Sequence, residues 1–399
     1  MKKLIKVVKV LIILTIIKIA VVGGGIFLGH KVFFKMPYAA APTIESVTDG
    51  KMAFGPEAHK HVPKTVKEMV DVLAVQLVHY NNIAESVWPN VNLVNQSLVV
   101  EDYQKNEFYY ISPQGDIEKI SRQEALDMGV SRMPTLNGFN IYDGGMYLAM
   151  IDEDIQNYLI WQKYLHYGIF DAFIFFNHEG FHIKEQIKWE KMNQVPNAER
   201  KSYLDAAAER TTRYFLQIEL MDAAANPGQP DKILEALAMY QYWKETYPED
   251  FQNAIIFDRV EGTAYYFEII TCLLSAYHEQ IQTHEDVQHA LTLLATRPEI
   301  YIGHGLDMEG YTVGAFAGFL LDRLGVDWKQ TLMDTADATP MSLLYEHFNG
   351  TALPEPYKIT QEDIDYVVAR IDTKDPNDAS GLPMLFKMLY EFMQAFLPF

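Results

Sequence analysis

Cysteine is all but missing. Cys272 stands alone among 399 residues, so no intrachain disulfide can form, and both a disulfide scaffold and a cysteine-liganded zinc site are excluded. That scarcity leaves the compartment open. Basic charge is also scarce beyond the first 35 positions, which hold seven lysines and no acid. The 26 other basic residues face all 53 acids, a balance of −27 over the remaining 364 positions. Such a surface repels nucleic acid and other polyanions, which excludes nucleic acid as a partner. No internal repeat and no low-complexity tract is found. At 49% hydrophobic the chain can bury a large core, as one large domain with subdomains.

One mainly apolar run, Leu11 to Leu28, follows Lys2, Lys3, Lys6 and Lys9 and is about long enough to cross a bilayer. It reads as a signal anchor that attaches the protein to a membrane and leaves the rest of the chain extracytoplasmic. The rival is secretion after signal-peptide cleavage at Ala39-Ala40-Ala41, with Pro42 following the cut. Lys18 and Gly23-Gly24-Gly25 weaken the run as a span.

The chain divides into an anchor at 1–35, a linker at 36–62, a mixed α/β part at 63–150, a larger helical part at 151–350 and a C-terminal helical extension at 351–399. Helical spacing of Val66, Met69, Val70, Leu73, Leu77 and Ile83 predicts a helix over about 64–86. Ser97–Tyr103, Glu107–Ser112 and Phe139–Met150 read as strands, the last interrupted by Asp143-Gly144-Gly145. It is either an ordinary hairpin or an edge that takes up an extended peptide. Helices are expected over 154–166, 171–189, 198–222, 231–245, 252–280, 284–296, 311–324, 361–371 and 384–396. The class is α+β: a small mixed α/β part with a short sheet, then a larger, mainly helical part with the site's helix near the junction.

That helix carries His178-Glu179-Gly180-Phe181-His182, an H-E-x-x-H string inside an apolar stretch. Residues four apart stand one above the other on a helix, so both imidazoles reach one cation, with the carboxylate between them beside it. Composition alone produces such a string in about 3% of similar chains. Burying these groups on a phenylalanine-rich segment without a partner is costly. The motif therefore points to one Zn²⁺ per chain, held by His178 and His182, with Glu179 as general base.

Catalytic zinc takes a third protein ligand. Lys188 stands where a third histidine of H-E-x-x-H-x-x-G-x-x-H would fall, so a later glutamate is sought. Glu261 is the best candidate, on a segment apolar on nearly every side: Ile255, Ile256, Val260, Phe267, Ile269 and Leu273. A structural ion pair with Arg259 or another arginine is the alternative. Gly262 and Ala264 permit another backbone to come close, and Glu268, two turns on, suits an acceptor behind one histidine. Glu209 reads as exposed beside its own Arg210. His304, on an expected loop, is a candidate catalytic residue, placed to contact substrate or product or to stabilise an oxyanion. His278, His284 and His289 read as solvated, and Asp307–Gly310 lacks calcium-loop spacing.

These motifs together resemble the gluzincin class of zinc metallopeptidases. His178, Glu179 and His182 match its first motif, and Glu261, Gly262, Ala264 and Tyr265 match a downstream E-G-x-A-x-Y. Tyr311-Thr312-Val313-Gly314 matches the Y-x-x-G of some such proteins, which makes Tyr311 a candidate oxyanion donor and Tyr265 a supporting residue. The resemblance spans residues 170–320, and the 79 residues from His182 to Glu261 are many for this class. It implies a zincin-like catalytic part and peptide or protein substrates. Two other functions share the same residues: a non-catalytic zinc-containing surface binding protein, and a zinc hydrolase of a non-peptide amide or ester.

Overall fold

The computed structural model describes residues 47–54, 63–130 apart from 92 and 94, 139–142, 144–152, 155, 171–189, 206–296 and 306–371. They fall within one unit that begins at Ile44. Two short strands, β1 (Val47–Thr48) and β2 (Ala53–Phe54), pair antiparallel where the sequence reads as linker. Helix α1 (Val66–Val87) follows; the Thr65 side chain caps it, and Val66, Met69, Val70, Leu73 and Leu77 form its buried stripe.

β3 (Ser97–Asp102), β4 (Glu107–Ile111), β5 (Ile117–Ile120), β6 (Phe139–Tyr142) and β7 (Gly145–Met150) form a sheet in the order β5-β4-β3-β7-β6. β3 is parallel to β7, from Ser97 opposite Gly145 to Asp102 opposite Met150, and every other ladder is antiparallel. All six residues of β3 are buried. Leu98 and Val100 join the main core, whereas Val99 points to a smaller cluster with Phe108, Tyr147 and Ala125 of α2 (Arg122–Asp127).

The rest is helical: α3 (Asp171–Lys184), α4 (Ala207–Ala225), α5 (Asp231–Thr246), α6 (Pro248–Ala276), α7 (His284–Leu294), α8 (Leu306–Arg323), α9 (Lys329–Asp334), α10 (Pro340–His347) and α11 (Gln361–Ile371). α6 is the axis, in contact with α1, α3, α5, α7, α8 and α10. Pro248 opens it, and its apolar residues on every side explain its burial. Against α8 the two backbones nearly touch. A Cβ at Gly262 would lie 2.4 Å from the Gly314 Cα, and one at Gly314 2.1 Å from the Asp258 carbonyl oxygen. α3 runs antiparallel to α6, since Asn177 bonds to Cys272, Phe181 stacks on Phe267 at 4.7 Å and Gln186 reaches Val260. Phe181 also meets Trp88 edge-on, and Trp88 packs against Trp189, Tyr266 and Trp328. This aromatic cluster anchors the core-facing side of the H-E-x-x-H helix.

The architecture is mixed α+β and mainly helical. Strands β1, β2 and β5 and helices α9 and α10 are additions to the expected elements. Of the helix expected over 154–166 only residue 155 is described, and the one expected over 384–396 lies outside the described residues. The expected membrane anchor is corrected: no helix among the described residues is long and apolar enough to cross a membrane. The run from Leu11 to Leu28 itself lies outside them. Its sequence carries the physical reason, since Lys18 within a span costs about 2.5–3.5 kcal/mol near the bilayer centre. Each of Gly23, Gly24 and Gly25 costs a helix about 1 kcal/mol relative to alanine. The localisation built on a membrane anchor falls with it.

Candidate metal centre

Three side chains from two helices converge. His178 Nε2 and His182 Nε2 lie 3.0 Å apart, and each is 3.3 Å from Glu261 Oε2. The four-residue spacing on α3 stacks the imidazoles, and the antiparallel register of α3 against α6 carries Glu261 beneath them. Arg259, the alternative partner for Glu261, is engaged elsewhere. Its guanidinium donates to the carbonyl oxygens of Leu332, Thr335 and Ala338 and lies over the Trp189 ring.

The other nitrogen of each imidazole is already bonded. His178 Nδ1 lies 2.9 Å from Glu268 Oε2, and His182 Nδ1 2.7 Å from Gln186 Oε1. The Gln186 amide has one orientation, because its Nε2 donates to the Val260 carbonyl at 2.7 Å and to Thr263 Oγ1 at 2.8 Å. Carboxylate and amide oxygens only accept, so both Nδ1 atoms carry hydrogen. Both Nε2 atoms then aim lone pairs at one another and at a carboxylate oxygen. Three electron-rich atoms at such separations repel unless a cation or a proton lies among them. Tetrahedral zinc with donors at about 2.0–2.1 Å separates those donors by about 3.3–3.4 Å, which the two edges to Glu261 match, whereas the 3.0 Å edge between the imidazoles would open slightly around the ion.

Without metal, a proton takes that place. Burial alone disfavours charge on His178, but the hydrogen bonds and charges of Glu261 and Glu268 outweigh it and hold its pKa at about 9. Burial would likewise raise the Glu261 carboxyl; hydrogen bonds from His178 and His182 hold it far below the usual carboxylate range.

Tyr311 stands at the rim of the triangle, its ring 5.1 Å from that of His178 and edge-on to it. Burial, then the charge of Glu261 and a hydrogen bond to it, push the phenol well above its ordinary value, so the hydroxyl stays protonated and donates. Glu179, half-buried on α3, also acts electrostatically on Tyr311. Tyr265 packs 5.5 Å from the Tyr311 ring. His304 lies outside the described residues.

The remaining candidates are placed elsewhere. His278 stacks on His79 at 3.7 Å, and His289 pairs with Asp49 at 2.7 Å. His284 is exposed in the first turn of α7, and Glu209 is half-buried on α4. A second acidic group, Glu219, Asp222 and Glu235, already has Lys232 within 2.9 Å of two carboxylates.

Two features escape the sequence reading. Gln186 is one, four residues beyond His182; the H-x-x-x-Q spacing was its available signal. The other is a buried ionic cluster on α4, where Arg210, expected beside an exposed Glu209, is itself buried. Arg213 clasps Asp258 with bonds of 3.0 and 2.5 Å, Arg210 pairs with Asp250 and Glu309, and Trp243 Nε1 donates to Asp250 at 2.8 Å. Glu309 and Asp258 precede Tyr311 and Glu261 by two and three residues, so this cluster braces the helices that carry them.

No protein-family model matches the chain, and searches of curated proteins and of solved structures also found no match.

Proposed function

We propose that this protein is a zinc-dependent peptidase of the gluzincin type with a zincin-like arrangement of its helices. What supports the reading is the triangle of two imidazole lone pairs and one carboxylate oxygen, all within 3.3 Å, with a second carboxylate, Glu179, adjacent on the same helix. His178, His182 and Glu261 would hold one Zn²⁺, which supplies Lewis acidity and lowers the pKa of a bound water towards about 7.

Glu179 accepts the proton of the attacking water and delivers it to the leaving amine. Tyr311, kept protonated, exchanges its bond to Glu261 for one to the oxyanion of the attacked carbonyl. Glu268 and Gln186 hold the two imidazoles in the tautomer that turns both Nε2 lone pairs inward. Strand β6 ends the sheet order next to β7, which suits the addition of an extended peptide as a further strand.

The test is Glu179→Gln in the full chain. Zinc content should stay at that of the parent while peptide hydrolysis falls on the order of 10²–10⁴-fold. Undiminished cleavage by this variant would remove Glu179 from the chemistry. Zinc bound by a parent that cleaves no peptide in a broad library would instead favour the non-catalytic binding protein.

A further inference from the structure

We infer that Gln186 is a positioning residue that sets the tautomer of His182 and locks it in register with Glu261, an assignment that rests on the zinc reading above. The carboxamide is fully buried in the short turn Gln186–Lys188 that closes α3. It makes three bonds with three different tasks. Its oxygen accepts from His182 Nδ1 at 2.7 Å, which leaves Nε2 free for the metal. Its nitrogen donates to the Val260 carbonyl at 2.7 Å, one residue before Glu261. The same nitrogen donates to Thr263 Oγ1 at 2.8 Å, a hydroxyl that itself donates to the Arg259 carbonyl at 2.6 Å.

One amide thus ties a histidine ligand on α3 to the backbone beside the carboxylate ligand on α6. The two histidines are supported unequally. Glu268 places a charged acceptor behind His178, whereas His182 has a neutral one. A carboxylate at position 186 would keep an acceptor for Nδ1 but lose both donor bonds and oppose the Val260 carbonyl. An aliphatic side chain would lose all three bonds and release the imidazole to the other tautomer.

Gln186→Met and Gln186→Glu in the full chain separate these tasks. Zinc affinity, read by competition with a chromogenic chelator, should fall about 10–100-fold in Gln186→Met. Gln186→Glu should fall less, because the Nδ1 acceptor is retained. Nitrogen-15 NMR of the imidazoles gives a second readout in the metal-free protein. His182 should carry its proton on Nδ1 in the parent and lose that preference in Gln186→Met. Parent-like zinc affinity and tautomer in Gln186→Met would overturn the inference, as would an equal loss of affinity in both variants. If the parent binds no zinc, the metal reading fails by itself, and the NMR comparison still decides the role of Gln186.

Discussion

His178 is where burial and charge oppose each other most directly. Two carboxylates hold its pKa at about 9 although the ring is buried, so the metal-free site carries a proton at neutral pH. A metal ion must displace it. Zinc uptake at pH 7 should therefore release about one proton from His178, and apparent affinity should rise roughly tenfold per pH unit until about 9. Calorimetry in buffers of different ionisation enthalpy measures this directly; uptake without proton release would show that the triangle is already deprotonated. The stability sign follows from the same shift. A histidine whose pKa is raised on folding stabilises the metal-free protein fully below its unfolded value of about 6.5 and loses that contribution as pH rises through about 9. Urea midpoints of the chelated protein should fall across that window, and those of the zinc-loaded protein should stay flatter.

The pairing of α6 with α8 depends on missing side chains. Gly262→Ala places a Cβ 2.4 Å from the Gly314 Cα, and Gly314→Ala places one 2.1 Å from the Asp258 carbonyl oxygen. The neighbour is backbone in both cases and cannot turn aside. Each variant should lose about 1–3 kcal/mol or more, read as a lower midpoint in thermal or urea unfolding. An unchanged midpoint would mean the helices do not approach this closely. Elements of this kind differ in how plainly their sequence announces them. α6 is apolar on every side, and α1 shows a regular stripe, so both are visible from spacing alone. β5 buries only Ile120 and α9 only Leu332, so neither has an amphipathic pattern to detect. α10 opens on a Thr339–Ser342 capping box, without the acidic or amide residue that usually marks one. Gln186 sits in a three-residue turn beyond the regular helix, and its meaning comes from Val260 and Thr263, more than 70 positions away.

The whole molecule is a scaffold that brings distant segments to one point. The two histidines announce themselves through local spacing, and Glu261 through the burial implied by its neighbours. Arg210 and Arg213 could not be recognised in the same way, because Glu309 lies 99 and 96 positions from them and nothing local distinguishes a buried arginine from an exposed one. The helices α4 and α5, which fill much of the long stretch between His182 and Glu261, supply that brace and account for part of the separation. The chain's −27 balance beyond its lysine-rich start describes its surface and says nothing of this centre. The central claim is that the three converging donors bind one divalent ion. Elemental analysis of the purified full chain after loading with zinc and removal of excess tests it most directly. One zinc per chain is predicted for the parent, with loss in His182→Ala and in Glu261→Gln; a parent without zinc, or zinc retained by both variants, would contradict the account.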